Sequence, residues 1–276
     1  MKKITILLAL LTSILYLRTF VWLANTWFTD PVYSHGIIIP IVSLFLAWRN
    51  VRDKSIRDDD PSKLGIIPFA FGILLYTIGS ITIFPFLSAI SFIFVLCGLI
   101  LYLYGKEMMK SLLFPVLFLI FAIPIPVVPA STSILQSISA RYSALTLEML
   151  GVAVMRTGSE IQLKDCSFSI GLPCSGMNTL IALLAVSAIF IYLLKCPLLK
   201  KAALFCITIP VAIVANILRI TAIILIADHY GVDVAMRLFH DFSSPFLFII
   251  AFIFLTLISK LMRCEIGRNG WQNEIL

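Results

Sequence analysis

Residues 202–226 read AALFCITIPVAIVANILRITAIILI and are long and apolar enough to cross a membrane as a helix. A spanning helix needs about 20 predominantly apolar residues, and this stretch contains one charged residue, Arg219. The rest of the chain has the same character, because 61% of its 276 residues are hydrophobic and 13% are charged. A soluble domain has about twice that share of charge. The composition therefore excludes a soluble enzyme, a disordered protein and a secreted disulfide scaffold.

Seven further apolar stretches predict an all-α polytopic membrane protein with about eight transmembrane helices. They are residues 4–24, 36–48, 64–82, 86–104, 111–128, 176–194 and 244–262. The second stretch is short and is expected to extend into residues 31–35. The fifth should end at Pro124, Pro126 and Pro129, which cannot continue a regular helix. The N-terminal stretch is longer than a signal-peptide core and no clear cleavage site follows it, so we expect a retained first helix.

The basic residues predict the orientation of these helices, since cytoplasmic loops are enriched in lysine and arginine. One side of the membrane would hold 15 of the 21 basic residues: Lys2, Lys3, Arg49, Arg52, Lys54, Arg57, Lys63, Lys106, Lys110, Lys195, Lys200, Lys201, Lys260, Arg263 and Arg268. The opposite side would hold 4, namely Arg141, Arg156, Lys164 and Arg237. This asymmetry predicts that both termini are cytoplasmic. The net charge of +7 therefore reflects membrane topology, and we expect no nucleic-acid partner.

The longest predicted connection, residues 129–175, would lie on the outer face between the fifth and sixth spans. Within it, residues 131–150 alternate apolar side chains with Gln136, Ser139, Arg141 and Glu148, which is typical of a helix lying on the membrane surface. Residues 158–171 have the rough alternation of a short hairpin. With no internal repeat or soluble appendage evident, residues 1–276 are interpreted as a single integral membrane domain.

Arg219 is the first candidate for a functional residue, because charged groups inside spans are costly and usually functional. Asn216 lies three residues earlier and therefore on the same helix face. The alternative is an arginine that extends to the outer lipid headgroups. Arg18, in the first span, has no such polar partner on its helix face. For Arg18 we therefore favour a side chain that extends to the lipid headgroups.

Cys174, in Pro173-Cys174-Ser175-Gly176-Met177-Asn178, is the second candidate. It would lie at the outer start of the sixth span, where the helix dipole lowers the pKa of a thiol and favours the nucleophilic thiolate. Unpaired backbone N–H groups of the first turn could also stabilise an oxyanion. The alternatives are a disulfide with Cys166 or an inert thiol.

His240, in Phe239-His240-Asp241 at the predicted outer mouth of the eighth span, is a candidate general acid or base. His35, at the mouth of the second span, competes for the same role, and a residue without function is the alternative for either. Cys174, Arg219 and His240 come from three consecutive spans that can pack as neighbours. Together they supply a nucleophile, a charge stabiliser and a proton carrier, which are the parts of acyl transfer. The cysteines lack metal-site spacing, and no metal or cofactor is predicted.

The ordered set of fragments resembles the exosortase/archaeosortase family over most of the chain. The fragments are Tyr33-Ser34-His35-Gly36, Pro124-Ile125-Pro126, Cys174-Ser175-Gly176, Asn216-Ile217-Leu218-Arg219-Ile220 and Phe239-His240-Asp241. The resemblance implies a membrane protein-sorting cysteine transpeptidase with Cys174, Arg219 and His240 as catalytic residues. Ser175, Asn178, Asn216 and His35 are the candidates for supporting or substrate-binding roles.

The resemblance also implies the partners. They would be exported proteins with a C-terminal signal consisting of a short motif such as Pro-Glu-Pro, a transmembrane helix and a basic cluster. Cleavage near the motif would give a Cys174 thioester, followed by transfer to a membrane lipid or surface polysaccharide. Histidine at position 240 favours a bacterial source, and hence a multi-pass protein of the inner membrane with its site on the extracytoplasmic side.

Three other functions remain open from the residues themselves. The first is an intramembrane cysteine protease, which would use the same side chains with water as the acceptor. For either enzyme, Ser175 is an alternative nucleophile. A transporter or flippase of lipid-linked or small substrates is a second possibility, for which Pro210 within the seventh span is the best feature. A structural subunit without chemistry is the third, but it leaves Arg219 beside Asn216 unexplained.

Overall fold

The computed structural model of the protein describes residues 2–53, 61–126, 128–163, 167–169 and 176–266. The chain divides into two compact units, Met1–Pro126 and Val127–Leu276, and each is described by itself. About 83% of the structure is helical, in agreement with the predicted all-α membrane protein.

The described residues of the first unit form five α-helices. They are α1 (Lys2–Leu15), α2 (Leu17–Thr29), α3 (Ile38–Asp53), α4 (Ile66–Ile81) and α5 (Pro85–Phe118), with 3-10 turns at Pro31–Ile37, Lys63–Gly65 and Leu119–Ala122. The turn at Pro31–Ile37 runs directly into α3, as expected for the second span. Helical structure ends at Ala122, just before Pro124, because proline lacks the N–H that a continuing helix needs.

The predicted continuous helix over residues 4–24 is wrong, because α1 and α2 meet at Tyr16 with a bend of 61°. The fully buried Tyr16 ring packs against Tyr76 and Phe92, and its hydroxyl shares a 2.8 Å hydrogen bond with Ser91. The Tyr76 hydroxyl donates to the carbonyl of Leu15, 2.6 Å away. The bend thus gives a partner to a carbonyl at the end of α1 and inserts an aromatic side chain into the core.

Helix α5 covers most of the predicted spans 86–104 and 111–128, and the connection that they leave at residues 105–110 is reduced to a kink. Gly105 has φ 79° and ψ −174°, a conformation that side chains rarely tolerate and glycine adopts readily. Lys110 and Glu107 form an exposed ion pair of 3.0 Å just after the kink. A single glycine therefore separates the two helical halves.

The described residues of the second unit form four α-helices and two small antiparallel sheets. Its elements are α6 (Val128–Met149), β1 (Met155–Thr157), β2 (Glu160–Gln162), β3 (Ser167–Ser169), α7 (Met177–Leu193), β4 (Leu194–Lys195), α8 (Leu198–Tyr230), α9 (Val232–Leu261) and β5 (Glu265–Ile266). The first sheet has the order β1-β2-β3, so the predicted hairpin is present with one additional strand. The second sheet pairs β4 with β5.

Two of the apolar clusters in the described part of this unit hold α6, α7 and α9 against α8. In the first, Ala140 and Leu147 of α6 and Ile161 of β2 pack against Ile220 and Ile224 of α8. The second joins three helices, because Leu183 of α7 packs with Ala212 of α8 and with Ala251 and Leu255 of α9. The expectation that the three helices after residue 176 pack as neighbours is therefore confirmed.

Four helical stretches among the described residues are long and apolar enough to cross a membrane: Pro31–Arg52, Lys63–Ile81, Pro85–Ala122 and Leu198–Tyr230. The bent pair Ile4–Leu15 and Leu17–Thr29 would make a fifth, and Met177–Leu193 and Ile249–Leu261 are shorter apolar helices. These lengths support an integral membrane protein. The number of eight spans, the cytoplasmic termini and the single-domain organisation stay predictions.

Candidate active site

Arg219 and Asn216 lie in the interior of the second unit, on one face of α8. Arg219 is 7% exposed and Asn216 is 2% exposed. An arginine that extended to lipid headgroups would leave its guanidinium at the protein surface. The burial instead favours the interpretation of Arg219 as part of an internal polar site.

Ser139 of α6 is a member of this polar cluster that the sequence did not identify. The amide nitrogen of Asn216 donates to the Ser139 hydroxyl oxygen over 3.0 Å, and Ser139 is 0% exposed. Ser143, one turn later, donates to the carbonyl of Ile217 at 3.2 Å. Ser139 was grouped with the polar side of a surface helix, and that assignment is wrong because Ser139 faces α8. Ser139 and Ser143 are four residues apart and each precedes an alanine. This pattern of small residues is typical of a helix face that packs closely against another helix, and it could have identified Ser139.

Gly176 brings the start of α7 against Asn216. Gly176 has φ +78°, and a Cβ atom at this position would lie 2.6 Å from Asn216 Cγ. Real Cβ contacts are not this short, so the close approach requires glycine. The chain entering α7 therefore lies directly on the part of α8 that carries Asn216, one turn from Arg219.

His240 belongs to α9, so the loop that the predicted spans 202–226 and 244–262 leave at residues 227–243 is wrong. Helix α8 continues to Tyr230 and α9 begins at Val232, so Gly231 alone joins them. At helical rise, Arg219 lies about 18 Å before Gly231 and His240 about 14 Å after it. The two residues are thus at similar depth in a helical hairpin. Arg219 is also about 17 Å from the end of α8, instead of the ~10 Å expected from sequence.

Several candidates fall outside the described residues. Cys174 and Ser175 do, and so does Cys166, the alternative disulfide partner. Asn178, in the first turn of α7, is partly buried, and no hydrogen-bond donor among the described residues reaches its Oδ1.

His35 belongs to the first unit, in the 3-10 turn that precedes α3. Its Nε2 is buried and meets no hydrogen-bond partner among the described residues. The neighbouring Tyr33 is fixed by Ile125, whose N–H donates to the Tyr33 hydroxyl over 2.9 Å. His35 thus stays a candidate proton carrier.

The cluster around Arg219 can stabilise a negative charge that develops in an apolar setting. It combines a buried guanidinium with an oriented amide, and the apolar residue Ile220 follows directly. Fixed donors of this kind act strongly where water is excluded. Among the described residues, no three His, Cys, Asp or Glu side chains gather in a group that could hold a metal ion.

Comparison with known proteins identifies the family. The family model described as Transmembrane exosortase (Exosortase_EpsH) matches residues 27–257, which is most of the chain and includes every residue proposed for a catalytic or supporting role. No curated protein and no solved structure gives a significant match. Because the family model covers far more than half of the sequence, the chain belongs to the transmembrane exosortase family.

Proposed function

We propose that this protein is a membrane-embedded cysteine transpeptidase that cleaves the C-terminal sorting signal of exported proteins and transfers them to a surface acceptor. The observation that carries the proposal is the contact between Gly176 and Asn216, beside the buried Arg219. Gly176, the last residue of the Cys174-Ser175-Gly176 fragment, thus lies against the polar face of α8 in a chain of the exosortase family.

Chain connectivity supports the role of Cys174 as nucleophile. Consecutive Cα atoms are 3.8 Å apart, so the Cα atom of Cys174 is at most about 7.6 Å from that of Gly176. Gly176 contacts Asn216, and Arg219 lies one helical turn from Asn216. A substrate carbonyl bound near Asn216 would lie beside Arg219, and the length of the intervening chain allows the Cys174 thiol to approach it.

The chemistry would proceed in two balanced steps. The Cys174 thiolate attacks the scissile carbonyl carbon, and Arg219 stabilises the oxyanion of the tetrahedral intermediate. The C–N bond then breaks, the departing amine takes a proton from His240, and a thioester remains. In the second step, neutral His240 accepts a proton from the acceptor nucleophile, which attacks the thioester carbonyl and releases the thiolate.

His240 is the preferred proton carrier because it shares the α8–α9 hairpin with Arg219 at similar depth. His35 remains the competing candidate. Replacement of each histidine by glutamine would distinguish them, since loss of the proton carrier should slow both thioester formation and transfer. Loss of processing in His35→Gln with full processing in His240→Gln would overturn the assignment.

The substrates would be exported proteins with a short motif, a transmembrane helix and a basic cluster at the C-terminus. The acceptor would be a membrane lipid or a surface polysaccharide, on the extracytoplasmic side of the inner membrane of a bacterium. An apolar substrate helix can dock beside the enzyme within the bilayer, which would bring its motif to the site from the membrane.

The test is to express the protein with an exported reporter that ends in such a signal and to determine the mass of the reporter's new C-terminus. A mass increment on that carboxyl group supports transfer. A free carboxylate would show hydrolysis and overturn the transpeptidase assignment in favour of the protease. If reporters carrying each such signal encoded in the same genome all stayed uncleaved, both the transpeptidase and the protease assignments would be overturned.

Ser139→Ala is expected to lower reporter processing about tenfold, because it removes a partner of the buried Asn216 amide and so loosens the positioning of that side chain. Ser137→Ala is the matched control, since Ser137 lies on the same helix, is exposed and bonds only within that helix among the described residues. Equal processing by the two variants would contradict a positioning role for Ser139.

Gly176→Ala is expected to reduce processing about 100-fold, because the new methyl group would displace Asn216 and the chain entering α7. Gly151→Ala is the control. Gly151 also has a positive φ of +86°, but no atom lies within 4 Å of its Cβ position. Both variants carry the backbone strain of a left-handed alanine, so only the contact with Asn216 differs. Similar activities would show that the contact has no catalytic importance.

A further inference from the structure

The first unit contains a cavity of about 160 Å³ that the proposed chemistry does not use. It lies between the start of α2, the end of α4 and the start of α5. A water molecule needs roughly 10–15 Å³ of such space. The cavity therefore has room for a group of several atoms, such as a phosphate with its ester oxygens.

Hydrogen-bond donors line this cavity. Arg18 and Thr19 of α2, Ser80 of α4 and Ser88 of α5 all contribute to its wall, and none of the described residues that line it carries a carboxylate. Thr19 and Ser88 are 5% and 6% exposed, so the hydroxyl groups belong to the interior of the unit. A cation with several hydroxyl donors and no fixed negative charge is suited to an anionic ligand.

Arg18 forms no ion pair with an acid in the part of the chain that the structure describes. It lies two residues after the Tyr16 bend, in a helix that is otherwise uncharged. A charge in such a segment is costly unless a counter-charge is supplied. An anionic ligand in the adjacent cavity would supply it.

The surroundings of the cavity are those expected at the level of the lipid headgroups. The chain reverses between α4 and α5 at residues 82–84, beside the cavity, and a reversal between spanning helices is expected at a membrane surface. Trp22 and Tyr76 line the same cavity, and these two residue types are enriched at the membrane–water interface.

We propose that this cavity binds the phosphate of an anionic phospholipid headgroup, with Arg18 as its charge partner and the hydroxyls of Ser80 and Ser88 as hydrogen-bond donors. The bend at Tyr16 is what directs the first turn of α2, and with it Arg18, to the cavity wall. The proposal concerns a site of the first unit and does not depend on the catalytic assignment.

The experiment uses the full-length protein, purified in detergent and stripped of lipid. The melting temperature is measured during titration with phosphatidylglycerol, with phosphatidylcholine and with inorganic phosphate. We expect phosphatidylglycerol to raise the melting temperature, with weaker effects of the other two. Arg18→Gln should weaken the apparent affinity for phosphatidylglycerol about tenfold.

Two further variants make the result specific to the cavity. Ser80→Phe fills the space while keeping the charge, and it should weaken phosphatidylglycerol binding to a similar extent. Arg141→Gln removes an exposed arginine of the second unit and should leave binding unchanged. Unchanged binding in Ser80→Phe would mean that Arg18 contacts headgroups at the surface, which overturns the cavity site. Equal effects of inorganic phosphate and phosphatidylglycerol would overturn the lipid as the ligand.

Discussion

Replacement of Cys174 by alanine is expected to abolish cleavage of a reporter that carries the sorting signal, with a loss of at least about 10³-fold. The reason is that no other group in the proposed mechanism can form the acyl intermediate. The loss should appear in the first step, so neither a thioester nor a free new C-terminus should accumulate. The measurement is the ratio of processed to unprocessed reporter in membranes that contain equal amounts of enzyme.

Two variants serve as controls for this result. Cys206→Ala removes an exposed cysteine of α8, and it should leave processing unchanged. Ser175→Ala tests the alternative nucleophile, and it should retain most of the activity. Full processing by Cys174→Ala together with inactive Ser175→Ala would transfer the nucleophilic role to the serine and contradict the thioester mechanism.

Arg219→Lys should lose about 10²–10³-fold in processing, although the charge is preserved. A guanidinium presents several N–H donors in a fixed planar fork, whereas an ammonium group is a compact charge on a flexible chain. Arg219 is buried within the second unit, so a lysine has little freedom to find an equivalent position. The rate of thioester formation in a single-turnover experiment measures this loss directly.

Arg141→Lys is the matched control for this substitution, because Arg141 is an exposed arginine of α6 in the same unit. It should process the reporter like the unmodified protein. If Arg219→Lys were equally active, the guanidinium would have no special role in stabilising the oxyanion. Membrane insertion and expression are compared for all variants, so that loss of folding is distinguished from loss of chemistry.

Local patterns of the sequence predicted most helices and the polar face of α8. Apolar runs of spanning length identify helices because the bilayer demands internal hydrogen bonding of the backbone. Asn216 and Arg219 were placed together because residues three apart share a helix face. The neighbouring arrangement of α7, α8 and α9 also followed from their order, since consecutive helices with short connections usually pack together.

Features that depend on distant contacts could not be predicted in this way. The bend at Tyr16 rests on Ser91 and Tyr76, which are far along the chain, and no local signal at Tyr16 reports them. The same holds for Ser139, whose burial depends on its contact with α8. The loop expected at residues 227–243 has a different cause. Polar residues there lower the hydropathy, but hydropathy reports the solvent of a segment and not its backbone conformation.

The link between α8 and α9 through Gly231 alone has a consequence for the evolution of the family. With helix on both sides, the angular relation between Arg219 and His240 is determined by the number of residues that separate them. Inserting or deleting one residue among 220–239 would turn one side chain about 100° around its helix relative to the other. Active relatives should therefore tolerate substitutions in this interval but hold its length constant.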